Sequence, residues 1–572
     1  MRVKLAKTAG FCWGVERALD IALDTANEAR GPVFTHGPLI HNPQTVDLLR
    51  EKNVHVSDPA GGPGSGGLLV IRAHGISPQV RERLRGSGAT IRDATCPLVA
   101  KVHGIIRKHS RQGAFTIIIG EKGHPEVEGH TGYAEAGSCL VTCLEDVEKL
   151  PPVEGEVVVV AQTTINMGEW GHVVEALQAR YPQAQMFNTI CDATEVRQEE
   201  VRKLAPEVDL MVVVGGRNSG NTNRLAEVAR DAGAEAVLIE TEQEIDPAFV
   251  QRFKRIGVTA GASTPDWMIR RVVNRIEAIP DPRAGARDRL SQGLKVLSRA
   301  NVLLMLTAAL GAVAAQALGG YPLSGTLVAV AALYLFCLHT LNRCTSFRAD
   351  RYNEPNRAMF YERHRGLLYG ASLLAGLSAL GLGAWVSPVA ALILAAGLVL
   401  GVFFSLRMEP RALKVGRVLH FPPSKILVVT AGWTVALALL PAVAFPGRAG
   451  PAGVVAALFV FGLVLFRVGL VELRDIQGDR IVGKRTLPIV LGKEQTEALL
   501  GVVLSALAVL IWAGLANGYL AAPIGWAMLA PVAYSGLSLW LFKKRVLGHG
   551  GLAEAAVDLH LILAGALALG LA

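Results

Sequence analysis

The chain has 572 residues, 51% of them hydrophobic, with 57 Lys and Arg against 48 Asp and Glu for a formal net charge of +9. That length is too great for one ordinary hydrophobic core. The basic balance does not indicate nucleic acid, because residues 299–572 hold 22 basic and 11 acidic side chains, leaving residues 1–298 close to neutral.

The opening MRVKLAKTAG has no apolar core of signal-peptide length, so the first half is expected to fold in the reducing cytoplasm. There the seven cysteines are not read as a disulfide framework. Along residues 1–280, β-rich apolar runs stop abruptly in polar, Gly-rich residues: GLLVIRAHG, FTIIIGEKGHPE, EVVVVAQTT, LMVVVGGRNSGNTNR and IGVTAGASTPD. Helical patterns follow several of them, which predicts an α/β fold with a mainly parallel sheet.

Cys12, Cys96 and Cys191 each sit in a short segment rich in Gly, Pro, Asp or Thr. Three thiolates on a cubane cluster leave one iron open to a substrate, whereas four would close it. Cys139, Cys143, Cys337 and Cys344 read as packed residues on burial statistics. His41, His74, His124, Glu126, Thr163, Ser219, Asn221 and Ser263 fall at strand ends, where α/β folds bind ligands. Ser219, Asn221 and Ser263 precede helix starts, which suit phosphate oxygens, although each taken singly is an ordinary cap. Glu126 is the candidate acid, with Glu128 the solvated alternative, and Thr163 could relay a proton or hold a hydroxyl.

FCWGVERAL, LIHNP, RAHGI, DATCPLV, GHPEVEG, QTT, ICDAT, NSGNTNR and TAGAST, in that order over residues 1–280, resemble the 4-hydroxy-3-methylbut-2-enyl diphosphate reductase (LytB) family. The resemblance implies three pseudo-repeated α/β units around a 4Fe-4S cluster on Cys12, Cys96 and Cys191. It implies that His41, His74, His124, Thr163, Ser219, Gly220, Asn221 and Ser263 hold the substrate, Gly220 only through its backbone. Glu126, assisted by His124 and Thr163, would donate the proton in the last step of the non-mevalonate isoprenoid pathway. GGRNSGN lacks dinucleotide-binding spacing, so electrons are expected from a separate ferredoxin or flavodoxin. A reading from another class is an iron-sulfur sensor that keeps the fold without turnover.

After a linker over 281–298, residues 299–572 contain nine apolar stretches: 301–318, 322–341, 366–384, 387–406, 424–445, 451–471, 498–515, 519–542 and 552–571. Most are long enough to span a bilayer. Basic residues gather in alternate loops, which predicts nine transmembrane helices with the first half cytoplasmic and the C-terminus outside. Glu472, Asp475 and Asp479, spaced three then four, would share one helical face and suit Mg2+ carrying a diphosphate; a solvated charged loop is the plain alternative. Arg467 lies inside an apolar run and is a functional candidate for that reason.

This half resembles the UbiA-like intramembrane prenyltransferases, which implies transfer of a prenyl chain to a lipid or aromatic acceptor. Where relatives read N-D-x-x-D-x-x-x-D, this chain has Asn342, Arg343, Ser346 and Asp350, although Asn353, Pro355 and Arg357 still match. Arg343 could bind diphosphate or exclude a metal, and Lys414 and Lys425 are further diphosphate candidates. A prenyl-diphosphate-binding anchor without transferase activity is the competing reading.

Overall fold

The computed structural model describes residues 2–57, 66–165, 167–280, 285–345, 349–406, 424–544 and 551–571. Ser346 and Lys414 lie outside these residues. The chain divides into two compact units, Met1–Arg283 and Ala284–Ala572.

The first unit holds twelve strands among the described residues: β1 (Arg2–Leu5), β2 (Val33–His36), β3 (Val54–Ser57), β4 (Leu68–Ile71), β5 (Thr90–Asp93), β6 (Phe115–Ile119), β7 (Ser138–Val141), β8 (Val157–Ala161), β9 (Gln185–Met186), β10 (Leu210–Val214), β11 (Glu235–Ile239) and β12 (Arg255–Ala260). They form three four-stranded sheets, β3-β2-β4-β5, β7-β6-β8-β9 and β11-β10-β12-β1. Every pairing is parallel. The valine and isoleucine runs of β6, β8 and β10 are buried nearly end to end, as strands covered on both faces must be. The strand order repeats three times, and the third sheet is completed by the first strand of the unit, with Arg2 opposite Arg255 and Leu5 opposite Val258.

The helices that follow are α1 (Trp13–Glu28), α2 (Pro43–Glu51), α3 (Pro78–Gly86), α4 (Pro97–Ser110), α5 (Pro125–Tyr133), α6 (Met167–Arg180), α7 (Asp192–Leu204), α8 (Gly220–Asp231), α9 (Pro247–Val250) and α10 (Asp266–Ala278). Proline opens α2, α3, α4 and α5, where its missing N–H costs nothing and its fixed φ favours the first turn.

The second unit is helical. Most of the expected linker is also helix, Ala286–Arg299. Among the described residues six helices are long and apolar enough to cross a membrane: Gly325–Thr345, Arg365–Val386, Lys425–Ala444, Pro451–Arg474, Lys493–Ala516 and Ala522–Lys543. Gln292–Arg299 and Val302–Leu318 qualify together but meet at 73°, making up to seven. The two remaining predicted stretches correspond to shorter apolar helices, Pro388–Phe403 and Ala555–Leu571, so the described residues support six or seven spans where nine were expected. The core of this unit centres on Trp433, Phe459 and Phe466.

Candidate active site

The threefold repeat of the sheets places like residues in like positions. Cys12, Cys96 and Cys191 each follow the edge strand β1, β5 or β9, and each is the N-cap of the next helix, α1, α4 or α7. The Cys12 N–H donates to the Ala262 carbonyl at 3.0 Å, Cys96 to Ala73 at 2.9 Å and Cys191 to Thr163 at 2.9 Å. Each bond ties the cysteine to the loop after the neighbouring central strand, β12, β4 or β8. All three thiols are half-buried and free of disulfides. A Cβ at Gly14 would lie 2.5 Å from the Cys96 sulfur, so this glycine clears the space the thiol occupies. Burial pushes the Cys96 and Cys191 thiols up, and the nearby thiols add to that, while helix N–H groups of Leu98, Val99, Ala193 and Thr194 oppose it. Thiols so placed favour a cationic partner.

The ends of the two central strands in each sheet carry the polar residues. His41, His124 and Ser219 follow β2, β6 and β10, while His74, Thr163 and Ser263 follow β4, β8 and β12. The three imidazoles converge, with ring centroids 4.5 Å (His41–His74), 5.3 Å (His41–His124) and 5.5 Å (His74–His124) apart. Burial holds His41 below the usual histidine range, with Arg72 reinforcing it, and lowers His74 well below that range. His124 is lowered to about 4 by burial, against the pull of Glu126. Three neutral, desolvated imidazoles make a site that an anionic ligand would stabilise by drawing protons onto them.

Glu126 is only 2% exposed. Its Oε1 accepts the Thr163 N–H at 2.8 Å, its Oε2 accepts the Thr163 hydroxyl at 3.0 Å, and His130 Nε2 lies 3.3 Å from Oε1. Burial alone would raise this carboxyl, but the bonds from His130 and Thr163 outweigh it and hold it at about 2. Asn221 is 5% exposed, and both atoms of its amide lack a protein partner. The Ser263 hydroxyl donates to the His41 carbonyl at 3.2 Å, joining the third sheet to the first. Ser219 caps α8 through the Thr222 N–H, and the exposed Gly220 beside it leaves room for Glu121, whose oxygen a Cβ would meet at 2.7 Å.

Glu128 is largely exposed, 4.0 Å from Arg72, as its solvated reading requires. Cys143 is also exposed, so the packing role read for it does not hold; Cys337 and Cys344 are buried. Sequence reasoning missed Arg72, His103 and His130. Arg72 stands two residues before His74 and is held against Gly37. His130 lies one helical turn after Glu126 on α5, a spacing that could have drawn attention to it.

In the second unit, the spacing of Glu472, Asp475 and Asp479 suggested one continuous helical face, but the helix ends at Arg474 and a separate one begins at Ile476. Asp475 sits at the junction, its N–H bonded to the Val471 and Glu472 carbonyls. All three carboxylates are nevertheless buried, and each has a cation close by. Glu472 lies 3.9 Å from Lys425 and accepts the Leu487 N–H, Asp475 pairs with Arg474 at 2.9 Å, and Asp479 with Lys484 at 3.1 Å. Asp350 pairs with Arg357 at 3.0 Å, and Arg343 and Lys484 also lie in its field. Asn353 accepts the Gly478 N–H at 3.0 Å, bringing the two motifs together. Asn342 is exposed. Arg467, within its span, binds Asp558 and lies over Trp433. The second motif thus gathers three buried carboxylates, each engaged by its own cation. In the first motif the surviving carboxylate, Asp350, is likewise engaged, and a guanidinium, Arg343, stands in place of another.

The family model described as LytB protein matches residues 3–277, and that of the UbiA prenyltransferase family matches residues 303–553. A protein of Aquifex aeolicus named 4-hydroxy-3-methylbut-2-enyl diphosphate reductase is 43% identical over 280 residues, covering 48% of this chain and 96% of that protein. The solved E-1-hydroxy-2-methyl-but-2-enyl-4-diphosphate reductase of Plasmodium falciparum is 31% identical and covers 48% of this chain and 86% of its own, with a TM-score of 0.46. A UbiA homologue of Archaeoglobus fulgidus, solved with DMAPP and Mg2+, is 14% identical, covers 49% of this chain and all of its own, and has a TM-score of 0.35. With sheets, strand-end residues and relatives in agreement, the chain belongs to the LytB family through its first half and carries a UbiA prenyltransferase family domain in its second.

Proposed function

We propose that residues 1–280 reduce 4-hydroxy-3-methylbut-2-enyl diphosphate, consuming two electrons and two protons and releasing water, to isopentenyl and dimethylallyl diphosphates. The observation that carries this reading is a buried carboxyl, Glu126, held by Thr163 on the same strand ends that gather three neutral imidazoles beside three free N-cap cysteines. Cys12, Cys96 and Cys191 would hold a 4Fe-4S cluster, and three free thiols at three helix N-termini, with Gly14 making room for the Cys96 sulfur, fit that group. When bound, the cluster supplies one-electron transfer and an open iron for the substrate oxygen.

The chain's own groups supply the rest. His41, His74 and His124 bind the diphosphate and gain protons from its charge. Asn221, Ser219 and Ser263 add hydrogen bonds, with the Gly220 backbone beside them. Thr163 fixes the Glu126 carboxylate through both oxygens, and the charge of the bound diphosphate would raise its affinity for the proton that it passes to the leaving hydroxyl. Burial excludes water from that transfer. Electrons come from a separate ferredoxin or flavodoxin. Anaerobically purified protein carrying iron should turn over the allylic diphosphate with a reduced dye. Iron-loaded protein that forms neither product would replace this reading with that of a sensor.

For residues 299–572, beyond a linker at 281–298, we infer nine spans with the basic loops and the reductase on the cytoplasmic side and the C-terminus outside. Glu472, Asp475 and Asp479 would hold Mg2+ with a prenyl diphosphate, and Lys425 would meet its phosphates. Prenyl transfer to a lipid or aromatic acceptor is one reading. The Asp350–Arg357 pair beside Arg343 favours the other, retention of a prenyl diphosphate without transfer. Labelled prenyl diphosphates with candidate acceptors distinguish the two. Transfer abolished by both Asp475→Ala and Asp479→Ala supports catalysis, while binding without transfer supports retention.

A further inference from the structure

Glu126 has no direct access to solvent, yet the reaction proposed above draws a proton from it at every turnover. One side of the carboxyl is closed by Thr163. Behind it stands His130, fully buried, with Nε2 at 3.3 Å from Glu126 Oε1 and neither ring nitrogen bonded to any other described group. His103, from α4, follows in line, its ring centroid 5.2 Å from that of His130 and stacked on Tyr133 at 4.3 Å. Its Nε2 also lacks a partner.

The space for His103 is built by glycines. A Cβ at Gly75 would meet its Cε1 at 2.6 Å, and one at Gly129 would lie 3.2 Å from its Nε2. Beyond His103 the field of Arg81 and Asp93 reaches it, and that ion pair, 2.7 Å long, is partly exposed to water. Two buried imidazoles with unsatisfied nitrogens, in series between a buried acid and a wet ion pair, cost stability unless they serve something.

We propose that His130 and His103 form the proton supply to Glu126. This inference rests on the reductase reading above. After Glu126 gives its proton to the leaving hydroxyl, the His130 N–H bond breaks and the Glu126 O–H bond re-forms. His130 is restored by a proton from His103, which takes one from solvent at the Arg81–Asp93 edge. One proton enters for each one Glu126 delivers, and the electrons are untouched. The titratable groups facing the line are Glu126, His124 and Tyr133 on α5, and Arg81 with Asp93 beyond His103. His130 and His103 are positioning residues that act through Glu126.

The test uses the full-length, iron-loaded protein. His130→Gln should lower kcat at least tenfold with KM within twofold, unchanged iron content and an altered kcat–pH profile. Imidazole added to His130→Gly should restore part of the rate. His103→Gln, on a different helix, should show the same pattern and carries the test if His130→Gln loses iron. The double variant should be no slower than the slower single one. Wild-type turnover with both single variants matching its kcat and pH profile within twofold overturns the inference alone. Iron-loaded wild type without turnover overturns the reductase reading, and this inference with it.

Discussion

Glu126 is defined by its neighbours more than by its type. A carboxylate held near 2 contributes stability that is fully present above the ordinary value of about 4.5 and is lost as pH falls through about 2. Chemical denaturation between pH 5 and pH 2.5 should therefore show a shallower loss for Glu126→Gln than for the wild type. The same variant should lose ~10²–10⁴-fold in turnover while keeping its iron. Asn221 gives the complementary case. Its amide is buried with no protein partner, so Asn221→Ala should leave the unfolding midpoint unchanged or higher, yet raise KM about tenfold, about 1.4 kcal/mol of binding. His41, His74, Thr163 and Ser263 were legible because each closes a strand in an abruptly polar loop. His130 and His103 were not, because a histidine inside a helical pattern reads as packing until the fold sets its ring beside an acid.

At the scale of elements, three sheets of one strand order put three cysteines at three helix N-termini. Gly14 is where α1 yields to its neighbour. Gly14→Ala should lower iron per chain well below that of Gly31→Ala, whose added Cβ meets nothing within 4 Å, while circular dichroism shows both folded. The parallel sheets were legible from their unbroken β-branched runs. The break at Asp475 was not, since a three-then-four spacing fits a continuous helix equally well and only the local turn at the end of the Pro451–Arg474 helix separates the two. Nor could sequence show that Arg357 pairs with Asp350, because that contact closes across the turn between two short helices.

For the whole molecule, the apolar cores of the two units are built from separate residue sets. Residues 1–283 expressed alone should therefore remain in the soluble fraction and keep kcat within about threefold of the full chain, which should sediment with membranes. A larger loss on separation would mean that the membrane unit supports the reductase beyond holding it in place. The hydropathy of residues 299–572 made the membrane character legible, while the 73° bend before Val302–Leu318 was not.

The pairing of β1 with β12 sets the order of events on the ribosome. The first two sheets close as their own strands emerge, but the strand leading to Cys12 has no partner until residues 255–260 have been made. So distant a pairing is slow to form. By the time Cys12 can join Cys96 and Cys191, the first apolar helix is only some forty residues behind, so delivery of that helix to the membrane would compete in time with assembly of the proposed metal centre.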